Sequence, residues 1–510
     1  MVIQLALADG FFKTIYVFFA FFPAKDVYIC GELTLSFMKR RDFLKSCSLA
    51  AAGSALVSPA ASAAGLFEIP STRDDVPLKG LNMEIKPLEA VTERPVRVIV
   101  IGCGNRGNVY ARYAKMYPKA MQVVGVSDIL DHRKNRLGDA HGVAPEMRFG
   151  HFREVFASGK KLADVVVIST PDDRHYEPCM MALELGYDVL LEKPVAQTEK
   201  ECKAIRDKAL KTGRIVGVCH VLRYSPYFVA LRAAIRSGMI GDVVSIQHME
   251  PIQYAHMAHS YVRGNWRNSK ETTPIILAKS CHDLDILRWL IDKPCKSISA
   301  DGSLTFFKAE NAPEGAPAHC TDGCPHADTC PYNAIDIYCR QKRHLGVFDL
   351  GGNRDSDFIL SRLKDPRYSS YARCVFHCDN DQPDHYVANM VFEDNVTASF
   401  TMDAFTPSGG RRTRVMGTLG YIEGDMNEFR VWDFLTRTPK VWNEKVAEIP
   451  EYAGSGHGGG DLRLLRDFLE AVSAQDVGRL SSNIDVSIES HVMGFAAERS
   501  RRSGRKEKVK

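Results

Sequence analysis

Between residues 96 and 220, short apolar runs alternate with helical patterns. The runs lie at 96–101, 121–127, 163–169, 188–191 and 215–219, and the first is mostly β-branched. Runs this short, without polar alternation, predict strands buried on both faces. Helical spacing fills the gaps, most clearly at 174–185 and 198–210. The alternation predicts a doubly wound parallel sheet, with ligands bound beyond the carboxyl ends of its strands. After residue 220 the rhythm changes. Runs at 243–249, 386–392, 396–402 and 414–417 read as strands with period-two character. Val396, Ala398, Phe400 and Met402 share one face, and Thr397, Ser399, Thr401 and Asp403 the other. This predicts a second α/β domain built on an open, mainly antiparallel sheet with one covered face.

The first strand runs into Gly102-Cys-Gly104-Asn105-Arg106-Gly107, and a helical pattern follows. Strand, glycine turn and helix together are the context of a dinucleotide fingerprint. Gly102 permits the turn, Gly104 lets a pyrophosphate approach the backbone, and Gly107 lets the helix pack on the strand. The helix N-terminus then faces the phosphates. The second strand ends at Asp128, where a carboxylate that binds ribose hydroxyls is expected. That carboxylate favours NAD over NADP, although Arg133 could accommodate a 2′-phosphate. The first domain is thus expected to be a Rossmann domain. Two more clusters fall at strand ends: Thr170-Pro171 with His175, and Glu192-Lys193-Pro194.

Length, 45% apolar and 25% charged residues predict a globular protein of two or three domains. The net charge of +4 arises from residues 499–510, which hold seven Lys/Arg and one Glu. Such a tail is expected to be solvated. No basic stripe with interleaved aromatics is present, which argues against nucleic acid as a partner. Residues 38–64 read MKRRDFLKSCSLAAAGSALVSPAASAA. Arg40-Arg41, the Ala-rich run and Ala61-Ser62-Ala63 resemble a twin-arginine (Tat) signal peptide, implying the Tat export machinery as a partner and a periplasmic location. Met38 is the expected start of translation. The expected organisation is 1–63 upstream stretch and signal, 64–95 extended arm, 96–220 Rossmann domain, 221–498 second domain and 499–510 basic tail. A cysteine-rich insert lies near 308–355, with Cys320, Cys324, Cys330 and Cys339. Its weak periodicity calls for a staple. A zinc or iron–sulfur site, disulfides, and free thiols are all open on spacing alone.

The ordered set GCGNRG at 102–107, Asp128, TPDDRH at 170–175 and ALELGYDVLLEKPVA at 182–196 resembles the Gfo/Idh/MocA family of NAD(P)-dependent oxidoreductases. The resemblance implies a catalytic role for Lys193. It implies that Thr170, Pro171, His175 and Glu192 lie near the cofactor, and that the second domain carries the substrate and mediates homo-oligomerisation. It also assigns His282, within His282-Asp-Leu-Asp285-Ile-Leu-Arg-Trp289, as the active-site histidine. Imidazole suits the work of a general base on a hydroxyl. Many family members carry an aspartate four residues before that histidine. Here the position is Ala278, followed by Lys279. Cys281 is read as a buried residue rather than a nucleophile.

The expected function is hydride transfer between a retained nicotinamide cofactor and a sugar, glycoside or polyol hydroxyl. Trp266, Lys279, Asp285, His385 and His457 are the candidate substrate contacts. A redox-neutral, NAD-dependent glycosidase and a non-catalytic sugar- or partner-binding protein are the alternatives.

Overall fold

The computed structural model describes residues 76–83, 85–447 and 456–509, together with the backbone of four short strands, Val2–Ala6, Phe12–Tyr16, Asp26–Gly31 and Thr34–Lys39, which form an antiparallel sheet of their own. The twin arginines and the expected cleavage site, residues 40–64, lie outside the described residues.

Strands β1 (Val96–Ile101), β2 (Met121–Ser127), β3 (Arg148–Phe149), β4 (Val165–Ile168), β5 (Asp188–Leu191) and β6 (Val216–Val218) form one parallel sheet, ordered β6-β5-β4-β1-β2-β3. Every residue of β4 and β5 is buried, as expected of strands covered on both faces. Helices α1 (Asn105–Met116), α2 (Asp131–His141), α3 (Tyr176–Glu184) and α4 (Glu199–Thr212) cross between the strands. The chain reverses its direction of travel between β1 and β4, so the crevice at their carboxyl ends is the topological switch point.

After helix α5 (Pro226–Arg236) comes the second sheet. Its strands are β7 (Val243–Gln253), β8 (Cys295–Ser303), β9 (His385–Phe392), β10 (Thr397–Thr406), β11 (Arg412–Gly417), β12 (Gly420–Gly424), β13 (Glu428–Asp433), β14 (Pro439–Asn443) and β15 (Glu507–Lys508). The order is β15-β8-β9-β10-β7-β11-β12-β13-β14, and Val76–Pro77 adds a last parallel strand beside β14. β7 and β10 also pair in parallel; the other pairs are antiparallel. Ala398, Phe400, Met402 and Ala404 of β10 are buried, in the alternation the sequence predicts.

Helix α6 (Cys281–Ile291) lies between β7 and β8 in sequence. Helices α7 (Gly460–Ala474) and α8 (Ile484–Ser503) return to the first sheet. Leu462, Leu465 and Phe468 of α7 share a core with Tyr110 and Tyr113 of α1, and Ile484 and Ile488 of α8 join the core on the opposite face.

The basic tail is not a solvated appendage. Residues 499–503 complete α8, and Glu507–Lys508 pairs with β8. Three of its seven basic residues are paired: Arg499 meets Glu199 at 2.7 Å, and Glu498 takes both Arg501 (2.7 Å) and Arg502 (2.6 Å). Buried Ser500 receives the Ala300 N–H at 3.0 Å and locks the turn.

Candidate active site

The glycine turn leaves β1 with Gly102 at φ +91°. A Cβ on Gly102 would lie 2.7 Å from the Ser169 backbone, and one on Gly107 would collide with the Gly102 carbonyl. These two glycines are required by close packing. Gly104 differs: its Cβ would meet nothing nearer than the Arg133 guanidinium, 3.9 Å away. Gly104 caps α1 without any side-chain hydrogen bond, and the first turn of α1 carries no acid. An open side and uncapped N–H groups fit a dinucleotide phosphate. Asp128 lies alongside, its carboxylate receiving the N–H groups of Cys103 (2.8 Å) and Leu130 (2.9 Å). Asn105 is exposed, and Gly346 of the second domain approaches it so closely that a Cβ there would lie 2.6 Å from its Nδ2.

Several expected cofactor residues hold the crevice together through their side chains. Arg106 turns inward and joins Glu192 to Asp461, the latter at 2.9 Å. The Tyr110 hydroxyl donates to Glu192 at 2.6 Å. Burial opposes the Glu192 charge, but Arg106, Lys193 and Tyr110 hold its pKa below the ordinary value. The His175 ring is clamped between the carbonyls of Pro194 (2.8 Å) and Thr170 (2.9 Å), tying the β4 loop to the β5 loop. Thr170 donates to the Arg174 carbonyl at 3.0 Å, and Pro171 is exposed at the rim.

Lys193 leaves the end of β5 and donates from Nζ to the Ala278 carbonyl at 2.8 Å. Ala278 ends a short helical turn, and His282 stands in the first turn of α6. His282 is buried, and its Nδ1 has no hydrogen-bond partner. Burial, followed by the charges of Lys193, His457, Arg411 and His220, pushes its pKa well below the usual imidazole value. The His457 ring lies 5.6 Å from the His282 ring, and Asp461 accepts from His457 Nδ1 at 3.0 Å. Burial works against the Asp461 charge, yet the bonds from His457 and Arg106 prevail and hold its carboxyl far below the usual range.

The other candidates separate. Lys279 reaches Glu250 at 3.1 Å, and Glu250 also pairs with Arg411. Arg411 in turn binds Asp283 at 2.6 Å, and His248 completes the network at 3.0 Å from Asp283. Lys279 and Lys193 both depress half-buried His256, after desolvation itself. Trp266 lies 6.4 Å from Tyr261, centroid to centroid, and Tyr261 is 6.1 Å from His256. Lys279, His256, Tyr261 and Trp266 thus continue the site beyond Lys193. Asp285 does not face it: Arg223 grips both its oxygens at 2.6 Å. His385 bonds to Asp384 at 2.9 Å and to Ser303, away from these residues. Cys281 is fully buried, and burial pushes its thiol up to about 12, so it is no nucleophile.

The sequence reading passed over His220, Arg223, Glu250, Arg411 and Asp461. His220 follows β6 at the ligand end of the sheet and was findable by position. Asp461 stands four residues after His457, one helical turn away. Glu250 and Arg411 meet only through the pairing of β7 with β11 and carry no local signal.

Residues 96–220 match the family model described as an oxidoreductase family with an NAD-binding Rossmann fold, and residues 228–322 match the GFO/IDH/MocA C-terminal domain. These are the two domains of the Gfo/Idh/MocA oxidoreductase family. YteT of Bacillus subtilis is 26% identical over 339 residues, 63% of this chain and 75% of that protein. An inositol 2-dehydrogenase of Pseudomonas syringae is 31% identical over 207 residues, 39% of this chain and 55% of that enzyme. The chain therefore spans only about half of that dehydrogenase. Among solved structures, an inositol dehydrogenase homologue from Azotobacter vinelandii with NAD+ superposes with a TM-score of 0.61 at 16% identity, covering 83% of this chain and all of the other. A levoglucosan dehydrogenase with NADH and L-sorbose gives 0.60 at 18%, covering 82% and 99%. At these identities the structures share the fold alone, and the match to an oxidoreductase family's NAD-binding Rossmann domain is carried by residues 96–220.

Proposed function

We propose that this oxidoreductase oxidises a secondary hydroxyl of a sugar, glycoside or polyol, with NAD as a retained cofactor. The observation that carries the reading is the meeting of Lys193, at the carboxyl end of β5, with buried His282. The glycine turn, the α1 N-terminus and Asp128 would hold the dinucleotide, and the bound nicotinamide supplies hydride acceptance and return. Lys193, fixed by the Ala278 carbonyl, has remaining N–H groups to donate to the substrate hydroxyl. His282 is neutral at pH 7 because its pKa is depressed, so it can accept the hydroxyl proton. His457, partly exposed and oriented by Asp461, gives that proton a route to solvent. Trp266, Tyr261, His256 and Lys279 offer flat and polar groups suited to a polyhydroxylated ring. Dehydrogenases of inositol and levoglucosan among the relatives support this substrate class. Asp128 favours NAD over NADP.

Export through the Tat pathway, with the cofactor already bound, rests on the sequence of residues 38–64. Homo-oligomerisation through the second sheet is supported by exposed Val244, Val387 and Phe405.

The test is product analysis with aryl glycosides and free polyols, alongside the identity of the nucleotide released on denaturation. A keto-sugar with bound NADH is the expected result. Release of aglycone with an unoxidised sugar would replace this reading with a redox-neutral glycosidase. An absence of bound nucleotide and of turnover would leave a binding protein.

A further inference from the structure

The excursion between β8 and β9, residues 304–384, carries six cysteines. None of them is in a disulfide among the described residues, so of the three readings left open by the spacing, disulfides are not seen. The expected grouping also changes. Cys320, Cys324, Cys330 and Cys374 line one cavity of about 20 Å³. Cys339 does not line it; its carbonyl receives the Ser356 hydroxyl at 2.9 Å, on another part of the excursion. Cys378 turns its thiol to the Cys374 carbonyl. His326 also lines the cavity, but its Nε2 is taken by the Glu314 carbonyl at 2.8 Å.

Arg263 lines the same cavity and is only 1% exposed. Its Nε donates to the Arg373 carbonyl at 2.6 Å, and one Nη donates to the Tyr332 carbonyl at 2.7 Å and lies 3.6 Å from Cys320 Sγ. Its other terminal nitrogen, Nη1, is buried without a partner. Among the described residues, Arg263 pairs with no carboxylate. A buried cation without a counter-charge is costly, and a buried unsatisfied donor signals a missing partner. Thiolates held on a metal would supply negative charge at this point.

The ligand set bears on the kind of metal centre. Among the described residues, no three His, Cys, Asp or Glu side chains converge closely enough for a single ion. Zinc draws its ligands onto one centre, with sulfurs about 2.3 Å from the metal. Here four cysteines line one cavity instead. An iron–sulfur cluster is a body of iron and sulfide held between cysteine thiolates.

We propose that Cys320, Cys324, Cys330 and Cys374 hold an iron–sulfur cluster, with Arg263 as its buried counter-charge. The cluster staples an excursion that has little regular structure of its own.

The test uses the full chain, purified without oxygen and then supplied with ferric iron and sulfide in the presence of a dithiol, which supplies the two electrons that bring four ferric ions to the mixed-valence cluster. About four iron and four acid-labile sulfide per chain are expected, with a broad visible absorption that dithionite bleaches. Cys330→Ser and Cys374→Ser should lose most of the iron, whereas Cys339→Ser should retain it. A folded protein that binds one zinc ion, or that stays free of iron and sulfide after reconstitution, overturns the proposal. So does full iron retention in Cys374→Ser.

Discussion

The ammonium of Lys193 is held by the backbone carbonyl of Ala278, 2.8 Å away, and among the described residues it pairs with no carboxylate. The acid that many family members place at this position is replaced by a main-chain acceptor. Lys193→Met should therefore lower kcat about 10²–10³-fold, the loss typical of one donor at a reacting oxygen, while the released nucleotide stays at wild-type occupancy. An empty cofactor site in the variant would mean that Lys193 holds the dinucleotide instead. Ala278→Asp should not improve the enzyme. Ala278 is 1% exposed among Ile275, Ile276 and Leu277. A carboxylate there should cost about 2 kcal/mol or more of stability, read as a lower urea midpoint.

In the proposed mechanism His282 sets the acid side of the rate profile. A base works when unprotonated, and burial and Lys193 push the His282 pKa well below the usual value. The oxidation rate should therefore stay level as pH falls through 6.5, the ordinary imidazole value, and decline only at lower pH. Removing the Lys193 charge should move that decline upward. His282→Asn should cost about 10²–10⁴-fold in kcat, the usual contribution of a general base. A wild-type decline centred on the ordinary histidine value, unmoved in Lys193→Met, would point to another base, with exposed His457 the first candidate.

Much of this was legible from local pattern. A parallel strand buried on both faces is a run of Val, Ile and Leu, so β1, β2, β4 and β5 fall within two residues of their predicted ends. The glycine turn was legible because its geometry tolerates no Cβ at Gly102 or Gly107. What was not legible depends on contacts distant in sequence. Arg106 sits inside the fingerprint, yet its side chain serves Glu192 and Asp461, the latter 355 positions away. Asp285 shares a helix with His282, but Arg223 turns it to structural use. Charge composition misled in the tail, because arginines paired with Glu199 and Glu498 read like arginines in solvent. In the insert, spacing grouped Cys339 with its neighbours, whereas folding brings in Cys374.

The glycines permit a separation of folding from cofactor binding. At Gly102 a side chain meets both positive φ and the Ser169 backbone at 2.7 Å. Gly102→Ala should therefore destabilise by at least about 1–3 kcal/mol, whatever the cofactor. At Gly104 a side chain meets open space. Gly104→Val should unfold near the wild-type urea midpoint once the cofactor is stripped, yet fail to rebind NAD. Unfolding scans of the stripped proteins, with NAD titrations of each, give both readouts. Tight NAD binding by Gly104→Val would mean that the phosphates lie elsewhere.

His491 links pH to the position of the Lys193 loop. Its Nε2 accepts the Val195 N–H at 3.0 Å, two residues beyond Lys193, so that nitrogen carries no proton; Nδ1–H donates to the Ser487 carbonyl at 3.0 Å. Burial lowers its pKa to about 4. An unfolded histidine protonates near 6.5, so between those values the unfolded chain binds the extra proton. The stabilisation is complete above about pH 6.5 and is lost as pH falls toward about 4. His491 alone should then cost about 2 kcal/mol between pH 7.5 and pH 5. Urea unfolding at the two pH values should show at least that loss in the wild type, because buried His259 is lowered in the same sense, to about 3. His491→Gln should reduce the loss by about 2 kcal/mol even if it is less stable at both pH values. Equal pH dependence in wild type and variant would mean that His491 already carries its proton in the folded protein. The Val195 N–H would then need another acceptor to hold the Lys193 loop.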